Sequence, residues 1–367
     1  MKRIGHLWER LVSDENLYRA IDEVNRTHHW LPGHRPNKCT AWVERTRDAR
    51  VQALRAILTN GFRPNPPKVK RRYDAAAKKW RTISEPKQWP DQYVHHALVQ
   101  ALQPVMMRGM DPNCCGSIRN RGIHYGKRKI ERWVRRKRKR TKWCAVMDIR
   151  HFYDSISPAL VMSTFRRILK DRKTIDLIAR ITAEGVKIGY YPSQWIANTA
   201  LQALDRRVRA SGGVLYLRYM DNLTAFHNRK RTLHRLVKAV RKWLESHGLT
   251  LKSDWQVFPT DKRLPSALGY RYGRSYTLVR KSNLLRLKRK LAIWRRRVSR
   301  GKSVSRKTAN GLLSRLGQLR HCNNVRLYAM LFRGAKVQAA LKETVRQSQR
   351  QLMTWGEYMA GYRSAPA

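Results

Sequence analysis

The segment Val-Leu-Tyr-Leu-Arg-Tyr-Met-Asp-Asn-Leu-Thr-Ala-Phe, running from Val214 to Phe226, constrains the fold of this chain more than any other stretch. Apolar residues alternate on both sides of Tyr219-Met-Asp-Asn222, and Asp and Asn suit a tight two-residue turn, so the segment reads as two strands meeting at an acidic hairpin. Held at such a tip, a carboxylate is both rigid and exposed. That serves a plain turn, and it equally serves a metal ligand for phosphate chemistry.

A second carboxylate favours the latter. Trp143-Cys-Ala-Val-Met147 has the pattern of a buried strand, and it ends at Asp148, followed by Ile-Arg-His-Phe-Tyr-Asp-Ser-Ile. Enough chain for several helices separates Asp148 from Asp221. The two strand-borne acids can therefore converge across an antiparallel sheet and hold a pair of divalent cations roughly 4 Å apart, the arrangement of two-metal phosphoryl transfer.

Composition narrows the partner. The 367 residues carry 80 Lys plus Arg against 24 Asp plus Glu, a formal net charge of +56, which points to a polyanion and first to nucleic acid. No stretch approaches the roughly 20 apolar residues of a spanning helix and the N-terminus lacks an apolar signal core, so the expectation is a cytoplasmic protein with no membrane contact. The five cysteines, Cys39, Cys114, Cys115, Cys144 and Cys322, are odd in number and form no Cys-x-x-Cys pair. They are expected to be reduced and to fill the core, not to build a disulfide framework or a zinc site.

Along the chain, Ile4 to Val24 shows helical spacing, with Asp14 placed to cap a second helix. Pro32, Gly33, Pro36, Pro64, Pro66 and Pro67 break up the region that follows, apart from a helix expected over Thr40 to Leu58. Lys68 to Glu85 suggests a short hairpin arm, and Val94 to Met107 a helix. Arg128 to Lys142 is a dense basic block suited to phosphates. Strands and helices mix from Trp143 to Phe258. After strand-like Ala267 to Val279 the tail is helical and basic, with Leu287, Leu291, Trp294 and Val298 as its apolar stripe. The expected organisation is an N-terminal helical segment (1–65), a second unit (66–142), a catalytic unit (143–265) and connecting strands with a helical end (266–367).

From about Ile83 to about Tyr328 the chain resembles a reverse transcriptase. Asp148-Ile-Arg-His-Phe-Tyr-Asp-Ser-Ile is similar to the palm motif that supplies the first metal ligand. Tyr219-Met-Asp-Asn resembles the Tyr-x-Asp-Asp box, altered at its last residue, and Leu268-Gly-Tyr-Arg resembles the strand that grips the primer. Ile188-Gly-Tyr-Tyr-Pro-Ser-Gln194 narrows the likeness to diversity-generating retroelements of prokaryotes and phages, supported by Val94-His-His-Ala-Leu, Ser193-Gln-Trp-Ile-Ala-Asn, Trp255-Gln-Val and Leu278-Val-Arg-Lys-Ser. The resemblance implies an α+β right-hand fold of fingers, palm and thumb, with an antiparallel palm sheet and a basic helical thumb. It also implies RNA-directed DNA polymerase activity, error-prone at template adenines.

The site residues follow. Asp148, Asp221 and the backbone of Ile149 would hold two Mg²⁺, with Mn²⁺ an alternative. Tyr153, five residues past Asp148, would lie beneath the sugar of the incoming dNTP and block a 2′-hydroxyl. Ile188, Gly189, Ser193 and Gln194 would line the wall under the templating pair, where glycine permits close backbone approach. Arg81 and Lys87 would neutralise the triphosphate. Nucleic-acid contacts are expected at Arg119 and Arg121 of a fingers loop, at Arg218 and Tyr219, at Gly269 and Tyr270, and at Arg280, Lys281, Lys288, Arg289, Arg295 and Arg296.

Asn222 stands where a third acid is expected, and a neutral amide oxygen attracts a dication less than a carboxylate does. It fits a natural variant that turns over slowly or tolerates another metal, and equally a substitution that silences the enzyme. Trp255 lies near the position where the resemblance expects a lysine to protonate pyrophosphate, and Lys252 is a candidate for that lysine. Expected partners are a template RNA or noncoding RNA, the primer or cDNA strand, dNTPs, and a small basic helical accessory ring or a second subunit of an antiphage defence system. A non-catalytic RNA-binding scaffold on the same fold is the remaining alternative.

Overall fold

The computed structural model describes residues 3–28, 37–74, 79–302, 304–323, 327, 331 and 336–350. Pro32, Gly33, Pro36 and the chain beyond 350 lie outside these. Helices α1 (Leu7–Leu11) and α2 (Asp14–His28) open the chain. The expected helix over Thr40 to Leu58 breaks at Thr46 into α3 (Lys38–Arg45) and α4 (Arg47–Thr59). Strands β1 (Lys68–Asp74) and β2 (Lys79–Glu85) form an antiparallel hairpin that is mostly exposed, and α5 (Tyr93–Arg108) then runs through the centre. Its residues Tyr93 to Leu102 are all buried, which is why they are apolar on nearly every face.

After the short β3 (Cys114–Cys115) and the basic helix α6 (Ile123–Arg136) comes β4 (Trp143–Arg150), the axis of the main sheet. Helices α7 (Phe152–Ser155), α8 (Pro158–Ile168), α9 (Arg172–Ile181), α10 (Ser193–Ala200) and α11 (Gln202–Ala210) follow. Asp171 fastens the N-terminus to this block: one carboxylate oxygen caps α9 at Thr174 N, and the other accepts from Leu7 N and Trp8 N. Strands β5 (Leu215–Tyr219) and β6 (Asn222–His227), helix α12 (Lys230–Glu245), and strands β7 (Thr250–Leu251) and β8 (Gln256–Pro259) complete the sheet, ordered β3-β5-β6-β4-β7 with β8 also paired to β4. All pairings are antiparallel except β3 with β5.

Strand alternation sorts the two faces of this sheet. Ala145, Met147, Ile149, Tyr216, Leu223 and Ala225 pack into a core shared with the N-terminal helices, α5 and α8 to α12. Cys144, Leu215, Leu217, Phe226 and Phe258 join a second core with α6 and the C-terminal elements. Those elements are the small sheet β9 (Ser266–Ala267), β10 (Tyr270–Tyr272) and β11 (Thr277–Val279), helices α13 (Lys281–Ser299) and α14 (Arg306–Arg320), and a last helix, Lys336–Arg350. In α13 the apolar stripe is shorter than expected. Leu287, Leu291 and Trp294 are buried, whereas Val298 is exposed beside the end of the helix. Cys114, Cys115 and Cys144 are buried free thiols, with burial as the main cause of their raised pKa.

Candidate active site

At the acidic hairpin the two turn residues are Met220 and Asp221, with Met220 at φ 54°, as a tight turn between right-twisted strands requires. Asn222 belongs to the strand, opposite Tyr219 on one side and Asp148 on the other. Parity along β4 places Asp148 with Cys144 and Val146, and β4 runs two residues past it to Arg150. The Asp221 carbonyl accepts from Ile149 N at 3.1 Å, and the Asp148 carbonyl accepts from Lys252 N at 2.9 Å. Backbone bonds thus fix the two carboxylates at one end of three adjacent strands.

Beneath the turn lies Arg218, which is wholly buried and so is not on the surface, where the expected nucleic-acid contact would place it. Its Nε and Nη2 grip Asp205 at 2.8 and 2.7 Å, and its Nη1 donates to Asn198 Oδ1 at 2.8 Å and to the Met220 carbonyl at 3.1 Å. Burial works against the guanidinium charge, but the neighbouring Asp205 outweighs it and raises the pKa. Arg218 is therefore a brace: it ties the hairpin turn to α10 and α11.

A cavity of about 850 Å³ opens above, lined by Ile149, Tyr153, Ile188 and Asp221 together with Arg81, Lys79, Arg150, Lys252 and Asp254. The Asp148 carboxyl is pushed above its usual range. Burial is the main cause; Lys252 opposes it and the charges of Asp221 and Asp254 add to it. Lys252 is ion-paired with Asp148. Tyr153 is also raised, first by burial and then by Asp221, with Arg81 opposing, so ring, carboxylate and guanidinium are electrostatic neighbours. Asn222 donates from Nδ2 to Asp221 Oδ1 at 2.9 Å. Among the described residues no three His, Cys, Asp or Glu side chains form a metal-holding group. The pair Asp148 and Asp221 still fits hard divalent cations: both are oxygen donors, Asp221 lines the open cavity, and its charge reaches Asp148, adding to the effect of burial there.

The expected triphosphate contacts separate. Arg81 lines the cavity, with its Nε on Asp74 Oδ2 at 2.8 Å. Lys87 is exposed and does not line it; its charge acts instead on Asp91. Lys79 was missed, although it lies two residues from Arg81 and so on the same face of β2. Arg150 was missed too, and Asp254 carries no sequence signal, since only the folding of the β7–β8 connection brings it here.

Ile188, Gly189, Ser193 and Gln194 line a second cavity that also reaches Tyr153. At Gly189, φ is +115° and an added Cβ would come within 2.3 Å of the Ser84 carbonyl. The close approach it permits is thus to the β1–β2 hairpin, whose Ser84 N donates to the Ile188 carbonyl at 2.7 Å. Gly269 likewise approaches α14 at Gln318 Nε2, 2.7 Å from an added Cβ. Tyr270 is wholly buried and offers no exposed grip. Arg119, Arg280, Lys281, Lys288, Arg289, Arg295 and Arg296 are exposed, whereas Arg121 reaches the Asp111 carbonyl and Tyr219 is half-buried. Arg295 also donates to the Leu331 carbonyl.

No curated protein matches the sequence. Among solved structures the chain is similar to a telomerase from Candida albicans in complex with a TWJ fragment of telomeric RNA, at 10% identity over 89% of this chain and 71% of that one, with a TM-score of 0.46. It is also similar to an apo telomerase from Candida tropicalis truncated from its C-terminal domain, at 12% identity over 61% of this chain and 56% of that one, with a TM-score of 0.40. The family model for reverse transcriptase (RNA-dependent DNA polymerase) matches residues 66–271, a span that takes in the β1–β2 hairpin, Asp148, Asp221 and the whole main sheet. Matched over more than half of its length, the chain belongs to the reverse transcriptase family.

Proposed function

We propose that this reverse transcriptase copies a dedicated RNA into cDNA with low fidelity at template adenines, in the manner of diversity-generating retroelements. The observation that supports the catalytic part is that Asp148 and Asp221 are electrostatic neighbours, with Asp221 and Tyr153 lining a cavity that Lys79, Arg81, Arg150 and Lys252 also line. Residues 66–142 act as fingers, 143–265 as palm and 266–367 as connection and thumb.

Asp148 and Asp221 would hold the metals, joined by the carbonyl of Ile149. When bound, the two ions supply a lowered pKa for the primer 3′-hydroxyl and neutralise the leaving pyrophosphate. Arg81, Lys79 and Lys252 face the triphosphate, Tyr153 lies beneath the sugar, and Ile188 with Ser193 and Gln194 forms the wall under the base pair. Lys252 is ion-paired with Asp148 and lines the same cavity, so it would balance the charge of that carboxylate and stand within reach of the phosphates. The exposed cations of α13 and of the Arg119 loop engage the nucleic-acid backbone, with affinity that falls steeply with salt. The retroelement reading rests on Ile188-Gly189 and Ser193-Gln194, and it brings with it a basic helical accessory protein as partner.

Primer extension on an RNA template, in Mg²⁺ and separately in Mn²⁺, tests both parts. The chain as it stands should extend a primer, Asp148→Ala should not, and Asn222→Asp should lower the Mg²⁺ concentration needed. If only Asn222→Asp extends, Asn222 is a substitution that silences the enzyme; if neither form extends, the non-catalytic RNA-binding scaffold is favoured. cDNA errors spread evenly over the four template bases would remove the diversification reading and favour a defence role.

A further inference from the structure

Asn222 faces Asp148 across one flank of β4 and brings an amide where a further negative charge is expected. On the other flank β4 meets two strands in turn: Leu251 of β7 lies opposite Ile149, and Gln256 of β8 lies opposite Val146. Between these pairs four residues, Lys252 to Trp255, run beside only two, Met147 and Asp148, so the connection has to bulge by two residues there. Both ends of the bulge are fastened. Lys252 N donates to the Asp148 carbonyl at 2.9 Å, and the Trp255 ring takes the Arg241 guanidinium at 5.8 Å and the edge of His234 at 5.9 Å. The residues thrown outward are therefore Ser253 and Asp254, both exposed and both lining the cavity of Asp221.

Among the described residues Asp254 makes no hydrogen bond and no ion pair, although Lys79, Arg81, Arg150 and Lys252 line the same cavity in a chain of 80 Lys plus Arg against 24 acids. Its charge nevertheless reaches the Asp148 carboxyl. No three acids close on a single ion among the described residues, so Asp254 acts across the cavity by its charge and not as a third ligand. We propose that Asp254 supplies, from the opposite flank of β4, the negative charge that Asn222 lacks, and so draws a divalent cation to Asp148 and Asp221. The inference rests on reading Asp148 and Asp221 as the metal-holding pair.

Mn²⁺ binding to the full chain without nucleic acid, followed by the electron paramagnetic resonance of the free ion, tests it apart from catalysis. Asp254→Asn should weaken binding roughly tenfold. Adding Asn222→Asp to that variant should restore the affinity of the chain as it stands, because the charge is returned on the other flank. Asp154 lines the cavity too, from α7, and Asp154→Asn is the control for cavity charge in general. Unchanged binding in Asp254→Asn, an equal loss in Asp154→Asn, or a loss that Asn222→Asp does not restore would overturn the proposal. Asp148→Ala separates the two ideas. If it weakens binding while Asp254→Asn does not, only the role of Asp254 falls; if it binds Mn²⁺ as the chain does, the metal-holding pair falls as well.

Discussion

Replacing Arg218 tests whether the catalytic turn stands on a buried ion pair. Arg218→Met retains length and removes the guanidinium, and with it the bidentate grip on Asp205 and the bonds to Asn198 and the Met220 carbonyl. Asp205 is 1% exposed and would keep only the Tyr216 hydroxyl, at 2.9 Å. Breaking a buried pair from one side costs about 3 to 5 kcal/mol, most of it the penalty of the stranded carboxylate. Removing both charges, as Arg218→Met with Asp205→Leu, replaces the stranded carboxylate by a stranded Tyr216 hydroxyl, at about 1 to 3 kcal/mol, while the Asn198 and Met220 oxygens lose the same donor in both variants. The double variant should therefore be more stable than Arg218→Met alone. Urea unfolding followed by tryptophan fluorescence provides the measurement. A loss below about 1 kcal/mol for Arg218→Met, or a double variant that merely adds the two single losses, would refute the brace.

Two further outcomes are expected. Tyr153→Ala should admit ribonucleotides, so that the ratio of rNTP to dNTP incorporation in primer extension rises by at least tenfold; an unchanged ratio removes Tyr153 from beneath the sugar. His95, depressed to about 3 in the fold, stays neutral there while its unfolded counterpart takes up a proton near pH 6.5. Its contribution is complete above pH 6.5 and drains away as pH falls toward 3, on the order of 5 kcal/mol in all, so His95→Phe should flatten the fall in urea midpoint between pH 6.5 and pH 4.

The likeness carried by Asp148, Tyr153, Tyr219-Met-Asp-Asn and the Ile188 wall led to the family, and the fold and the family match agree with it. The hairpin of Lys68 to Glu85 and the central helix over Val94 to Met107 were legible because strand and helix periods are local properties of the chain. Arg218 was misread because an arginine two residues before a turn looks solvent-facing until Asp205, from a helix, is packed against it. Gly189 was recognised as a place of close approach, but the partner, Ser84, belongs to another part of the chain. Asp254 left no trace in sequence, since its place in the cavity depends on how β7 and β8 both add to β4.

What the sequence determined by itself is the chemistry on offer: two carboxylates on strands, a neutral amide beside one of them, and an excess of cations that requires a polyanion. Tertiary structure alone decided which charges face a ligand and which face each other. A guanidinium is neutralised by whatever carboxylate lies within hydrogen-bond reach, and for Arg218 that group is supplied by a helix, not by nucleic acid. It likewise decided that two cavities, one lined by lysines and arginines and one by none among the described residues, share the wall at Tyr153 and Ile188, because that wall is assembled from segments that meet only when the sheet has closed.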